Sequence, residues 1–181
     1  ALKKELGIFI LLVVLCALVS VRNPQFLSPA NLQNMAGLIG LYGIFSIGLG
    51  IVIITGGIDL SVGSVFALLG VLLSIMLVEW GWPPALVVLA IVGIAMGLGA
   101  LHGLLITKLR IQPFIVTLCG LLFYRGLARF IANDETKGFG AAAGFEWLRS
   151  LAAGSLFGLP TPFILVIAIS AVMWVGLHRS V

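Results

Sequence analysis

The stretch Thr55–Gly56–Gly57–Ile58–Asp59–Leu60–Ser61–Val62–Gly63–Ser64 constrains this chain more than any other. It lies between two apolar stretches, Gly37–Ile54 and Val65–Val78, neither of which carries a charge. Paired glycines break a helix because they lose the most backbone entropy and leave polar backbone uncovered. In hydrocarbon such backbone is tolerated only where protein or a wet cavity satisfies it. Asp59 stands where a new helix should start, placed to cap the N–H groups of Leu60, Ser61 or Val62. The segment reads as a built break between two membrane spans.

Membrane spans are the right frame because 61% of the 181 residues are hydrophobic and 9% are charged. Soluble domains carry about 25% charged residues, so the composition is that of a polytopic membrane protein. The net charge of +4 is spread over short connections, as an orientation signal is, and does not point to nucleic acid. Cys16 and Cys119 both lie inside apolar runs and read as small core residues. Neither their number nor their spacing implies a metal or a disulfide.

The expected fold is all-α, a polytopic transmembrane bundle of about six spans. The first is Gly7–Val21, after a basic lead with Lys3 and Lys4. A signal peptide would share that lead, but Arg22–Asn23–Pro24 is a poor cleavage site and a retained helix fits better. Then follow Gly37–Ile54, Val62–Val78, Ala85–Thr107, Pro113–Ile131 and a span opened by Pro160–Thr161–Pro162 that runs to Leu177. In the fourth span, Gly93, Gly97 and Ala100 share one face and Ala95, Gly99 and Gly103 another, which predicts close helix neighbours on two sides. The long connection Ala132–Leu159 contains Phe145, Leu148 and Leu151 at helical spacing beside Trp147, the pattern of a short interfacial helix. With the N-terminus inside, the inner connections hold Lys3, Lys4, Lys108, Arg110 and Arg179 and the outer ones Arg22, Lys137 and Arg149. That bias favours a cytoplasmic N-terminus.

Ile54–Thr–Gly–Gly–Ile–Asp–Leu–Ser–Val–Gly–Ser64 resembles the signature of the permease subunits of carbohydrate ABC importers, in the ribose, galactofuranose and autoinducer branch of the binding-protein-dependent permeases. Gly103–Leu–Leu–Ile–Thr–Lys–Leu–Arg–Ile–Gln–Pro–Phe–Ile–Val–Thr117, Tyr124–Arg–Gly–Leu–Ala128 and Leu159–Pro–Thr–Pro–Phe163 are similar to further segments of that family. Two places depart from it. His102 stands where relatives usually carry Asn, and Asn133–Gly140 matches no particular branch.

The resemblance implies a translocation subunit for a monosaccharide or similar small carbohydrate, in the bacterial inner membrane, that hydrolyses nothing itself. It implies three partners: an ATP-hydrolysing cytoplasmic subunit, a periplasmic or extracellular sugar-binding protein, and a second permease subunit, identical or paralogous. Family members are about twice this length, so residues 1–181 read as a single transmembrane domain, the N-terminal portion of a permease. The coupling segment would lie beyond it. No cofactor is expected.

The residues expected to flank the pathway are Gly56, Gly57, Asp59 and Ser61, with Phe114 and Thr117 as further candidates. Free N–H groups at a helix start inside the membrane suit a hydroxyl-rich cargo. The plainer reading has Asp59 as a cap and Phe114 and Thr117 as core. Likewise Arg125 and Arg129 read first as snorkelling side chains and second as steering the binding protein or pairing with outer-loop acids, and His102 as a packed or headgroup-level histidine before a proton site. Catalysis is excluded because only one acid lies deep in a span and the two histidines are far apart. A passive channel or ion-coupled carrier remains the rival, since broken helices serve carriers too.

Overall fold

The computed structural model describes residues 2–140 and 142–179, with side chains from Leu6 onward. Lys3 and Lys4, which entered the orientation count, therefore lie outside the described side chains. The order of helices is α1 (Leu2–Arg22), α2 (Pro29–Ile54), α3 (Val62–Ser74), α4 (Pro84–Thr107), α5 (Pro113–Ala132), α6 (Glu146–Ala153) and α7 (Thr161–Arg179). A 3-10 turn, Pro24–Leu27, precedes α2, and a π-helical turn, Ile75–Glu79, extends α3.

Five described helices are long and apolar enough to cross a membrane: α2, α3 with its π turn, α4, α5 and α7. The expected first span forms a helix too, but its described apolar part, Leu6–Arg22, is shorter. At 1.5 Å per residue it measures about 26 Å. The second helix begins eight residues earlier than expected, because Pro29 suits the first helical turn and Asn31 is satisfied there. The amide of Asn31 donates to the Phe26 carbonyl at 2.7 Å.

The chain divides into two units, residues 1–46 with 149–181, and residues 47–148. In the first, α2 and α7 touch backbone to backbone: a Cβ at Gly40 would collide with the Pro162 carbonyl, and one at Gly43 would stand 2.7 Å from Val166 Cγ2. Between α6 and α7 an unexpected two-stranded hairpin pairs Ser155 with Pro160 and Leu156 with Leu159. Its turn residues, Phe157 (φ 54°) and Gly158 (φ 80°), are both left-handed, as a two-residue hairpin loop requires.

In the second unit α3 packs chiefly on α5 and more lightly on α4. Leu68, Tyr124 and Ala128 form one buried cluster. Met76, Leu77, Val87 and Phe145 form another. Phe145 thus anchors the connection instead of lying in the interfacial helix, which starts one residue later. Lys137 ties the same connection to the end of α3 through Glu79 at 2.9 Å, with Glu135 at 3.4 Å.

Three expectations are corrected. Arg129 pairs with Asp134 at 2.6 Å, the reading placed second. Cys16 and Cys119 are free and exposed, because their helix faces point away from the chain's own core. A Cβ at Gly93, Gly97, Gly99 or Gly103 would meet nothing within 4 Å, so the glycines of both small-residue faces of α4 stand open.

Candidate functional site

The break between α2 and α3 is a geometrically complete helix stop. Gly56 takes φ +77°, its N–H bonds to the Ile53 carbonyl at 2.9 Å, and the Gly57 N–H reaches back to Val52 at 2.9 Å. This is the two-bond glycine termination in which a left-handed residue turns the chain out of the helix. Helix α3 starts five residues later at Val62, with Ser61 as its N-cap residue.

Asp59 organises that start by bonding the Ser61 N–H, one of the three expected, although the N-cap residue is Ser61 itself. Its Oδ1 accepts from the Ser61 N–H at 2.8 Å and from the Ser61 hydroxyl at 2.6 Å. The hydroxyl of the N-cap residue is therefore spent on Asp59 and makes no cap bond of its own. Ser64 donates instead to the Ser61 carbonyl at 2.7 Å. Among the described residues, the backbone N–H groups of Ile58, Asp59, Leu60, Val62 and Gly63 find no protein acceptor. Val62 and Gly63 lie in the first turn of α3, where no helix pairs its N–H groups, so the break itself leaves those of Ile58, Asp59 and Leu60 open.

The surrounding side chains come from α4 and α5. Thr117, 2% exposed, donates to the Pro113 carbonyl at 2.9 Å and lies 3.3 Å from that of Ile58. The break is therefore level with the first turn of α5, close to the Lys108–Gln112 connection. His102 Nδ1 stands 3.5 Å from the hydroxyl of Ser61, which is 1% exposed. His102 Nε2 stands 2.9 Å from the hydroxyl of Tyr124, which is 4% exposed.

Of the residues expected at the site, Asp59, Ser61 and Thr117 come together around the break, and Gly56 and Gly57 form it. Phe114 does not join them; the residue is 45% exposed, and its carbonyl lies 3.4 Å from the Thr117 hydroxyl. Sequence reasoning passed over Tyr124 and gave His102 no polar partner. The usable signal was the helical periodicity of Thr117, Gly120 and Tyr124, which puts a hydroxyl, a gap and a phenol on one face of α5.

Arg125 and Arg129 line a separate cavity of about 390 Å³ with Asp134, Glu135 and Thr136. A cavity of about 540 Å³ in the other unit is lined by Gln33, Asn34, Gly154 and Ser155 without a charged group. Neither cavity contains an expected site residue.

Comparison with known proteins places this architecture. The chain is 36% identical to the ribose import permease protein RbsC of Bacillus subtilis, over 98% of this chain and 54% of that protein. It is also 36% identical to the fructose import permease protein FruF of Bifidobacterium longum, over 93% of this chain and 49% of the relative. The galactofuranose transporter permease protein YtfT of Escherichia coli matches at 36% identity, over 86% and 43% of the two chains. The chain thus spans about half the length of the curated relatives it matches. No solved structure matches it significantly. The family described as branched-chain amino acid transport system, permease component, matches residues 31–181, which include the break and every side chain around it. With that match and its membrane-length helices, the chain belongs to this permease family and is a multi-pass integral membrane protein.

Proposed function

We propose that this chain builds the translocation pathway of a permease subunit in an ATP-binding-cassette importer for a monosaccharide or similar small carbohydrate. The observation that carries the reading is the run of unpaired backbone N–H groups between Ile58 and Gly63, held open beside buried hydroxyls. Sugar hydroxyls accept from such donors, and weak contacts to backbone suit a passage that must release its cargo. Gly56, Gly57, Asp59, Ser61 and Thr117 flank that passage, with Phe114 at its margin. The family description speaks of branched-chain amino acids, whereas the three relatives compared are a ribose, a fructose and a galactofuranose permease. The carbohydrate assignment follows those relatives.

In this reading the 181 residues act as one transmembrane domain of a bacterial inner-membrane protein with a cytoplasmic N-terminus. The break near Lys108 and Arg110 then lies toward the cytoplasmic end, where cargo leaves. ATP is hydrolysed by a separate subunit, a periplasmic or extracellular binding protein delivers the sugar, and a second permease subunit completes the pathway. The test is purification of the full-length protein in mild detergent with its ATPase subunit, followed by hydrolysis assays with binding protein loaded with ribose, fructose or galactofuranose. Sugar-dependent hydrolysis is the expected result. Solute movement by reconstituted protein without any associated ATPase would instead establish a carrier or channel.

A further inference from the structure

One imidazole, on α4, meets α5 and the N-cap residue of α3. His102 belongs to α4, five residues before its end at Thr107. Its Nε2 meets Tyr124 of α5 at 2.9 Å, and its Nδ1 meets Ser61, at the start of α3, at 3.5 Å. The two ring nitrogens point to opposite sides of a rigid ring, so one residue bridges two partners that do not touch each other.

The hydrogen-bond directions follow from the partners. Ser61 has a single hydroxyl proton, and it goes to Asp59 at 2.6 Å. Toward His102 the same oxygen can only accept, so Nδ1 carries the imidazole proton and Nε2 receives the Tyr124 hydroxyl. Donors then run in one direction, from Tyr124 through His102 and Ser61 to the Asp59 carboxylate. The two links are unequal. A 2.9 Å separation is a full hydrogen bond, whereas 3.5 Å is near the limit of one. The α4–α5 link is the shorter of the two and the link to the start of α3 the longer.

Backbone bonding cannot hold the break by itself. Among the described residues, the one backbone N–H between Gly57 and Ser64 with an acceptor is that of Ser61, and its acceptor is the Asp59 side chain. The Ser61 carbonyl accepts from Ser64 and Val65 of α3, and the rest of the segment is held by the side chains of Asp59, Thr117 and His102.

We infer that His102 is a positioning residue for the pathway, clamping the start of α3 to the α4–α5 pair so that the free backbone donors of residues 58–63 keep one orientation. The inference rests on the reading of the break as pathway-lining. It assigns His102 no contact with cargo and makes Tyr124 the residue that orients the ring.

The experiment uses the full-length permease assembled with its ATPase subunit in lipid nanodiscs, comparing wild type with His102→Ala, His102→Gln and Tyr124→Phe. Two quantities are read: amide hydrogen exchange of the peptide spanning residues 57–64, and sugar-stimulated ATP hydrolysis against the concentration of loaded binding protein. Loss of the clamp is expected to raise exchange of the hydrogen-bonded Ser61 and Ser64 amides in that peptide about threefold, the low end of what one hydrogen bond is worth. Maximal turnover falls while the half-saturating concentration of binding protein stays the same, because docking is untouched. Tyr124→Phe should show the smaller effect of the same kind. Unchanged exchange of the Ser61 and Ser64 amides in any assembled variant overturns the inference, whatever the turnover does. A half-saturating concentration that shifts together with exchange across the whole chain also overturns it, since that is general loosening. If His102→Ala does not assemble, Tyr124→Phe, which removes one oxygen, decides alone. Absence of sugar-stimulated hydrolysis in wild type would sink the importer reading and leave the clamp to the exchange data.

Discussion

Gly120 and His102 are matched by shape: a Cβ at Gly120 would stand 2.9 Å from both Cε1 and Nε2 of the imidazole. The same added carbon would lie 3.1 Å from Tyr124 Cε2. The ring can take its place between Ser61 and Tyr124 only because α5 offers no side chain there. Gly120→Ala should therefore displace His102 and cost about 1–3 kcal/mol, the range for overpacking a filled site. Denaturation of the purified protein and exchange at residues 57–64 measure the two effects. A silent Gly120→Ala would show that the ring moves aside freely.

Gly56 presents the opposite case, since an added Cβ meets nothing within 4 Å yet its φ is +77°. Any cost of substitution there is conformational. Gly56→Ala is expected to destabilise by about 1 kcal/mol, and Gly56→Asn by less, because Asn tolerates the left-handed region. Thermal unfolding of the three proteins in one detergent gives the order. Equal stability of Ala and Gly would show that the helix ends by other means.

At the α2–α7 contact two glycines differ in what they face. Gly43 looks onto the side chain of Val166, whereas Gly40 looks onto the backbone of Pro162 and Phe163. Gly43→Ala should be destabilising and largely rescued by Val166→Ala, which clears the methyl group at 2.7 Å. No single side-chain change is expected to rescue Gly40→Ala. A double-mutant cycle read by thermal stability checks the first statement.

The carboxylate of Asp59 accepts two hydrogen bonds at one oxygen, and an amide oxygen can accept both, though more weakly. Asp59→Asn is expected to keep transport near wild type, and Asp59→Leu to abolish it, leaving the nearly fully buried Ser61 hydroxyl without its acceptor at a cost of about 1–3 kcal/mol. Uptake of labelled sugar by cells carrying each variant distinguishes them. Loss of uptake with Asn would mean that the charge itself is needed.

The hydrogen bond to Glu79, with Glu135 adding to it, holds the Lys137 ammonium above the ordinary lysine value of about 10.4. A raised value in the folded state stabilises fully below that ordinary value and is lost as pH rises through the folded one. The connection between α5 and α6 should therefore be insensitive to pH from 6 to about 9 and loosen only above about 10.4. Limited proteolysis across that range is the measurement, and Lys137→Gln should remove the alkaline transition.

The membrane class, the break and most helix limits were legible because each depends on neighbours in sequence: apolar run length, paired glycines, and prolines at helix starts. The stop at Gly56–Gly57 needed no tertiary information. What the sequence could not supply was the company each polar residue keeps. His102 read as a packed histidine because its partners, Ser61 and Tyr124, lie 41 and 22 residues away. Phe145 read as part of an amphipathic helix because its burial against Met76, Leu77 and Val87 depends on how the long connection folds back. The Ser155–Pro160 hairpin was missed because Phe157–Gly158 is not a usual turn pair. Backbone preference and hydropathy act over a few residues, so the sequence alone determined where the helices run and where they break. Hydrogen bonding between helices depends on register and rotation around each axis, and only the tertiary structure decided which polar side chains hold that break in place.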